Sequence, residues 1–392
     1  MCGINGFLAT NTSKSIEEQL DKMNNLIIHR GPDEVGEFIV NEEQYSVAMG
    51  MRRLSIIDLH TGDQPIYSED LSKVIVFNGE IYNYQILKDQ LINQGCKFKT
   101  NSDTEVILKL YEKEGVKSFG KLDGMFAFSI YDKTIGKVFI ARDFFGEKPL
   151  YYSHTNNGFI WASELKSIVV TLPIQPEIDT TALSLYFQLT YIPAPFTIYK
   201  YIHKLEANHY IELDCNENKY SIFEIDKPIS KFAIQSKKEA TKVTHDLVQK
   251  SVLSRSISDV SLGTFLSGGV DSSIVSLCMS QQQEKKIDTF SIGFDKKSFD
   301  ESDKSRLVSK LINSNHHEFI ISEKDLTKNI DEIILNFDEP FADSSALATY
   351  LVSKKTKDYV KVALTGDGGD EVFGGYNKYY MGKKKKKYTS LI

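Results

Sequence analysis

Arginine is scarce in this chain of 392 residues: Arg30, Arg52, Arg53, Arg142, Arg255 and Arg306 stand against 41 lysines. Where lysine is the default cation, a retained arginine points to a planar fork, suited to bidentate carboxylate binding or a buried ion pair. Cysteine is scarcer still. Cys2, Cys96, Cys215 and Cys278 form no CxxC pair, which argues against a disulfide scaffold and a zinc site and for a reducing, cytoplasmic location. No run of about 18 apolar residues exists, so no membrane span is expected. Nor is there an excess of positive charge: the net charge of −6 leaves no footprint for nucleic acid, and small molecules become the expected partners.

What is present is 41% apolar and 26% charged, with only 9 prolines, a composition that buries real cores. The length suggests two or three domains. Residues 2–215 carry short β-like runs, among them Gly3–Leu8, Tyr45–Met51, Lys73–Phe77, Met125–Tyr131, Lys137–Ala141 and Phe159–Ala162. Helical patterns at Ile16–Ile27, Ile81–Gln94 and Glu105–Lys113 interrupt them. Residues 216–237 read as a connector. From 238 to 392 the texture becomes strand, Gly-rich turn and helix, with strands at Leu262–Leu266, Thr289–Phe294 and Val360–Leu364, as in a parallel doubly wound sheet. The run Lys383–Lys387 reads as a solvated tail.

Cys2 follows the initiator Met; once Met1 is removed, thiol and α-amine share one residue, and an amine of pKa about 7.7–8.0 can serve as base to its own side chain. Downstream lie His29-Arg30-Gly31-Pro32-Asp33, Arg53-Leu54-Ser55-Ile56-Ile57-Asp58, Asn78-Gly79-Glu80-Ile81-Tyr82-Asn83 and Ser102-Asp103-Thr104-Glu105. Read singly, these offer an NG turn, a surface ion pair and a helix cap. In this order they resemble the glutaminase domain of class II glutamine amidotransferases, nearest the asparagine synthetase branch. The resemblance implies Cys2 as nucleophile and base, Asn78 and Gly79 as oxyanion donors, Arg53 as clamp for the glutamine α-carboxylate, and Glu80 and Asp103 for its α-ammonium.

A second motif, Ser267-Gly268-Gly269-Val270-Asp271-Ser272-Ser273, lies between an expected strand and an expected helix. Glycines free backbone N–H groups to face an anion and the helix start favours negative charge, so the loop reads as a phosphate cradle. It resembles the SGGxDS loop of ATP pyrophosphatases. Asp271 in an anion site implies a bridging Mg²⁺. The resemblance places a second metal-binding carboxylate at Asp370 in Thr365-Gly366-Asp367-Gly368-Gly369-Asp370-Glu371, a catalytic carboxylate at Asp367, and nucleotide contacts at Leu266, Ser267, Gly268, Gly269, Asp271, Ser272, Ile292, Thr365 and Gly366. Leu266 and Ile292 read equally as core residues. Asp338–Ser345 resembles the acceptor-pocket segment, although Asp343 and Ser344 also suit helix caps.

The fold class expected is α/β: an α+β N-terminal sandwich of Ntn-hydrolase type, then a doubly wound parallel sheet of ATP-pyrophosphatase type. By resemblance the chain is a glutamine-hydrolysing asparagine synthetase, with glutamine, aspartate and ATP as substrates, Mg²⁺ as cofactor and a homodimer among the expected assemblies. Family members continue well past the second acidic motif, so the C-terminal domain is expected to be incomplete. Two alternatives stand beside this: an amidotransferase acting on a cell-surface sugar or other carboxylate, and a truncated form that only hydrolyses glutamine.

Overall fold

Alternating apolar residues along Gly3–Ala9 (β1) point Ile4 and Leu8 to one face and Phe7 to the other, and both faces are buried. The computed structural model describes residues 2–10, 15–227, 233–296, 300, 302–379 and 381, so Lys383–Lys387 lies outside the described residues. The chain divides into two units, Met1–Lys231 with Leu335–Asp343, and Phe232–Ile334 with Ser344–Ile392.

In the first unit, β1 is followed by α1 (Ile16–Leu26), β2 (Glu34–Asn41), β3 (Ser46–Arg53), β4 (Ile66–Tyr67), β5 (Lys73–Ile81), α2 (Tyr84–Asn93) and α3 (Asp103–Glu114). Then come β6 (Gly124–Asp132), β7 (Lys137–Arg142), β8 (Tyr151–Thr155), β9 (Gly158–Ala162), α4 (Leu165–Val169), α5 (Thr180–Leu189), β10 (Ile202–Lys204), β11 (His209–Asp214) and β12 (Lys219–Glu224). The strands form two six-stranded sheets, ordered β10-β8-β9-β1-β3-β2 and β12-β11-β7-β6-β5-β4, with every pair antiparallel. Ile4, Val47 and Met49 of one sheet meet Val76, Ile140 and Ile211 of the other in a continuous apolar core. Leu20 and Met23 of α1, with Leu165 and Ile168 of α4, cover the outer face of the first sheet, and α3 packs on β5 of the second. The result is the layered helix–sheet–sheet–helix sandwich expected from the sequence.

Two differences from the sequence reading bear on how the units are drawn. Strand β12 lies in the stretch expected to be a connector; it pairs with β11 from His209↔Glu224 to Asp214↔Lys219, so the sheet runs on to Glu224. Leu335–Asp343 belongs to the first unit despite its distance along the chain. Asp338 accepts from the Lys166 backbone N–H at 3.2 Å and pairs with its ammonium at 3.2 Å, and Glu339 accepts from the Ile198 N–H and pairs with Lys204.

The second unit comprises α6 (Lys237–Arg255), β13 (Leu262–Phe265), α7 (Val270–Gln282), β14 (Asp288–Phe294), α8 (Ser302–Leu311), β15 (Asn315–Ile321), α9 (Glu323–Asn336, its last two residues in the first unit), α10 (Ser345–Thr356), β16 (Val362–Leu364) and α11 (Gly369–Phe373). Its four strands are parallel in the order β15-β14-β13-β16. Val252 of α6 and Met279 of α7 pack on one face, and Val352 of α10 packs beside Phe290 on the other, which makes the sheet doubly wound. The strand order reverses between β13 and β16, and in such sheets the crevice beyond the carboxyl ends at the reversal is where ligands bind. Among the described residues no helix is long and apolar enough to cross a membrane.

Candidate functional sites in the two units

Pairing of Gly3 with Arg52 sets Cys2 beside the residues that follow β3. Its Sγ accepts the Leu54 N–H at 3.3 Å, and the Leu54 carbonyl lies 3.7 Å from the thiol. The Cys2 carbonyl accepts from Arg30 Nε at 2.9 Å, and Arg30 is itself held by Glu164 at 3.1 Å. Burial alone would raise Glu164, but hydrogen bonds from His29 and Lys166 and the Arg30 charge bring it down to about 2. This anionic anchor fixes the segment that carries the thiol. The sequence motifs included Arg30 but not Glu164; the available signal was the scarcity of arginine, since a half-buried guanidinium needs an acid.

A cleft is lined by Cys2, Arg53, Gly79, Glu80 and Asp103, together with Leu54, Gln64, Phe77 and Thr104. Five of the six residues expected to handle glutamine thus face one space. Gly79 lies flat against β6: a Cβ there would fall 2.1 Å from the Met125 carbonyl oxygen, so no other residue fits. Asn78, the sixth, is fully buried rather than lining the cleft. Its Nδ2 lies 3.5 Å from Ser163 Oγ, which already accepts the Ile4 N–H at 2.9 Å. Its Oδ1 has no hydrogen-bond partner among the described residues.

Asp103 opens α3 behind the Ser102 cap and accepts the Ile81 N–H at 3.0 Å. Complete burial pushes its carboxyl up to about 6 despite those bonds. Glu80 is also raised, first by burial and then by the Asp103 charge. Two neighbouring acids, one buried and one half-buried, that resist joint ionisation leave a place for a cation. A bound ammonium would favour the ionised pair, so its affinity must fall as protons compete. We therefore expect the glutamine KM to rise as pH falls through about 6, by up to about tenfold per unit. Replacing Asp103 by Asn removes the like charge that helps to raise Glu80 and should shift that acid limb to lower pH, as a pH profile of kcat/KM would show. The Cys2 thiol is raised by burial, which outweighs the Leu54 hydrogen bond, so its activation needs a base.

In the second unit the two sequence motifs meet at the strand-order reversal. Thr264 of β13 stands beside Leu364 of β16, and each motif leaves the carboxyl end of its strand. Gly269 caps α7, Gly268 lies in the left-handed region (φ 81°), and Ser267 Oγ accepts the Gly269 N–H at 3.2 Å while lying 2.9 Å from Ser272 Oγ. A Cβ on Gly366 would fall 2.7 Å from the Ser272 nitrogen, and one on Gly369 2.6 Å from Asp271 Cγ, so the second loop seats directly on the first. Thr365 donates to Asp367 at 2.9 Å, which holds that exposed carboxylate at the loop tip. Asp271 is raised by burial and then by the charges of Asp370 and Glu371. Among the described residues no three metal-binding side chains are grouped closely enough to hold an ion alone. Mg²⁺ suits such a place, since it is bound by one or two carboxylates with substrate phosphates completing its shell. Leu266 is fully buried and its N–H bonds to the Phe290 carbonyl, while Ile292 packs at the edge of the core, so both have structural duties there.

Residues 1–224 match the family model described as glutamine amidotransferase domain, and residues 244–391 match that described as asparagine synthase. The "Putative asparagine synthetase (glutamine-hydrolyzing) 2" of Methanocaldococcus jannaschii is 42% identical over 97% of this chain and 77% of its own length. "Asparagine synthetase (glutamine-hydrolyzing) 1" of Bacillus subtilis is 38% identical over 93% of this chain, which spans 56% of that protein. Among solved structures, glutamine phosphoribosylpyrophosphate amidotransferase of B. subtilis, complexed with ADP and GMP, aligns over 88% of this chain and 72% of its own, with a TM-score of 0.43 at 15% identity.

Proposed function

Because the chain belongs to the glutamine-hydrolysing asparagine synthetase family, we propose that its first unit hydrolyses glutamine and that its second, with ATP, activates aspartate to receive the ammonia. The observation that carries this reading is the single cleft shared by Cys2, Arg53, Gly79, Glu80 and Asp103. With Met1 removed, the α-amine of Cys2 takes the thiol proton and the sulfur attacks the side-chain carbonyl carbon of glutamine. Asn78 and the Gly79 N–H stabilise the oxyanion. The C–N bond breaks, the nitrogen leaves as ammonia with that proton, and water hydrolyses the thioester to glutamate. Arg53 holds the α-carboxylate, and Glu80 with Asp103 holds the α-ammonium.

In the second unit the Ser267–Ser273 loop and Thr365-Gly366 cradle ATP. The aspartate β-carboxylate attacks the α-phosphorus and pyrophosphate leaves; ammonia then displaces AMP, giving asparagine, with Asp367 taking the ammonia proton. Asp271 and Asp370 would hold Mg²⁺, which when bound neutralises phosphate charge.

Two measurements test the reading: glutamate release from glutamine, and ATP–pyrophosphate exchange with aspartate set against other carboxylic acids. Asp271→Asn is expected to lower exchange by about 10²–10³-fold, the scale of losing a metal-bridged charge, and to leave glutamate release at the parent rate. Exchange supported equally by unrelated acids, or by the Asp271→Asn variant, would defeat the assignment.

A further inference from the structure

The guanidinium of Arg53 is 4% exposed, and each terminal nitrogen makes two hydrogen bonds. Nη2 donates to the carbonyls of Ile57 and Asp58 at 3.1 and 2.7 Å. Nη1 donates to two carboxylates, Glu34 at 2.9 Å and Asp63 at 3.0 Å. The partners from 57 to 63 come from one turn wrapped around the guanidinium, so closely that a Cβ on Gly62 would fall 2.5 Å from Nη2. Asp58 pins this turn by accepting from the Thr61 and Asn101 N–H groups at 3.0 and 2.7 Å.

A carboxylate arriving at Arg53 therefore finds both terminal nitrogens already filled, and the three kinds of partner differ in how readily they yield. Freeing the carbonyls requires backbone movement in a pinned turn. Glu34 is 35% exposed and also accepts from Ser55 Oγ at 3.3 Å. Asp63 is 73% exposed and needs only to swing its side chain into water. It is also crowded by Glu34, so it gives up little by leaving.

We propose that Asp63 is an internal competitor for the α-carboxylate of glutamine at Arg53, and that it sets the enzyme's affinity for glutamine. The proposal rests on the reading of Arg53 as the carboxylate clamp. Asp63 presents to the guanidinium the same group as the substrate, at one nitrogen, from a turn flanked by Ile57 and Gln64, which line the cleft.

The test is steady-state glutaminase kinetics of Asp63→Asn. Removing an exposed ion partner frees one N–H and its charge, and the KM for glutamine is expected to fall about 3- to 5-fold, with the effect confined to KM. Asp63→Glu, which keeps the carboxylate, should show no such gain. Glutamine α-amide, with a neutral carboxamide in place of the α-carboxylate, should inhibit the parent and Asp63→Asn alike. A KM unchanged or raised in Asp63→Asn, or an equal gain for the α-amide, would overturn the competitor role. Arg53→Lys run in parallel separates the two levels: a raised KM there with an unchanged KM in Asp63→Asn refutes the competitor alone, whereas a parental KM in Arg53→Lys refutes the clamp and the proposal together.

Discussion

Cys2→Ala is expected to reduce glutamine turnover to the uncatalysed background, a loss of about 10⁴–10⁶ in kcat, because nucleophile and proposed base reside on one residue and nothing else in the cleft can form the thioester. Only a sulfur atom is lost from a side chain that makes one backbone contact of normal length, Leu54 N–H to Sγ at 3.3 Å. The fold should persist, and with it glutamine binding through Arg53, Glu80 and Asp103, which equilibrium titration with glutamine would show. ATP–pyrophosphate exchange in the second unit should proceed at the parent rate. Residual glutamate release above about 1% of parent would show that Cys2 is not the nucleophile.

The second large effect is expected at Asn78. Losing one oxyanion donor costs about 10²–10³ in kcat. Stability should respond very differently. Asn78 is fully buried with its carbonyl oxygen unpartnered among the described residues, and a buried polar atom left unpaired costs about 1–3 kcal/mol. Leucine keeps the same branched heavy-atom skeleton and has no such atom, but it is bulkier. Relief of the unpaired oxygen and the cost of added bulk, each about 1–3 kcal/mol, oppose one another, so Asn78→Leu is expected to fold about as stably as the parent while turning over glutamine several-hundredfold more slowly, with KM little changed. A variant that is both inactive and markedly less stable by thermal melt would mean that Asn78 serves packing rather than catalysis.

How much of this was legible in the sequence follows from what each signal encodes. Residues in apolar strands buried on both faces, such as β3, β6 and β9, reveal themselves by composition alone. Edge strands show themselves less: β12 is largely exposed, and β2 has only the short apolar stretch Phe38-Ile39-Val40 after a half that alternates between half-buried and exposed residues. The stretch expected as a helix from Ile81 starts at Tyr84, because Ile81 pairs with Gly124 at the end of β5 and tertiary pairing overrides helical periodicity. β15 begins Asn-His-His, and its polar start hid it. At the first site, motif order located five cleft residues, but not that Arg53 is already occupied, which depends on a turn folded back by Asp58. Asp63 had no signal in one dimension.

The path of the chain between the two units bears on what can be said of either one's stability. It passes from the first to the second after Lys231, returns at Leu335 and leaves again after Asp343. The nine residues of the return visit are held by Lys166, Lys204 and the Ile198 N–H. A single peptide cleavage at the first crossing would therefore leave the units joined by intact chain. Excision of either unit as a continuous segment would strip one of residues it needs or burden the other with a stretch that has lost its anchors. Melting the first unit would therefore release the segment that joins α9 to α10 from its anchors.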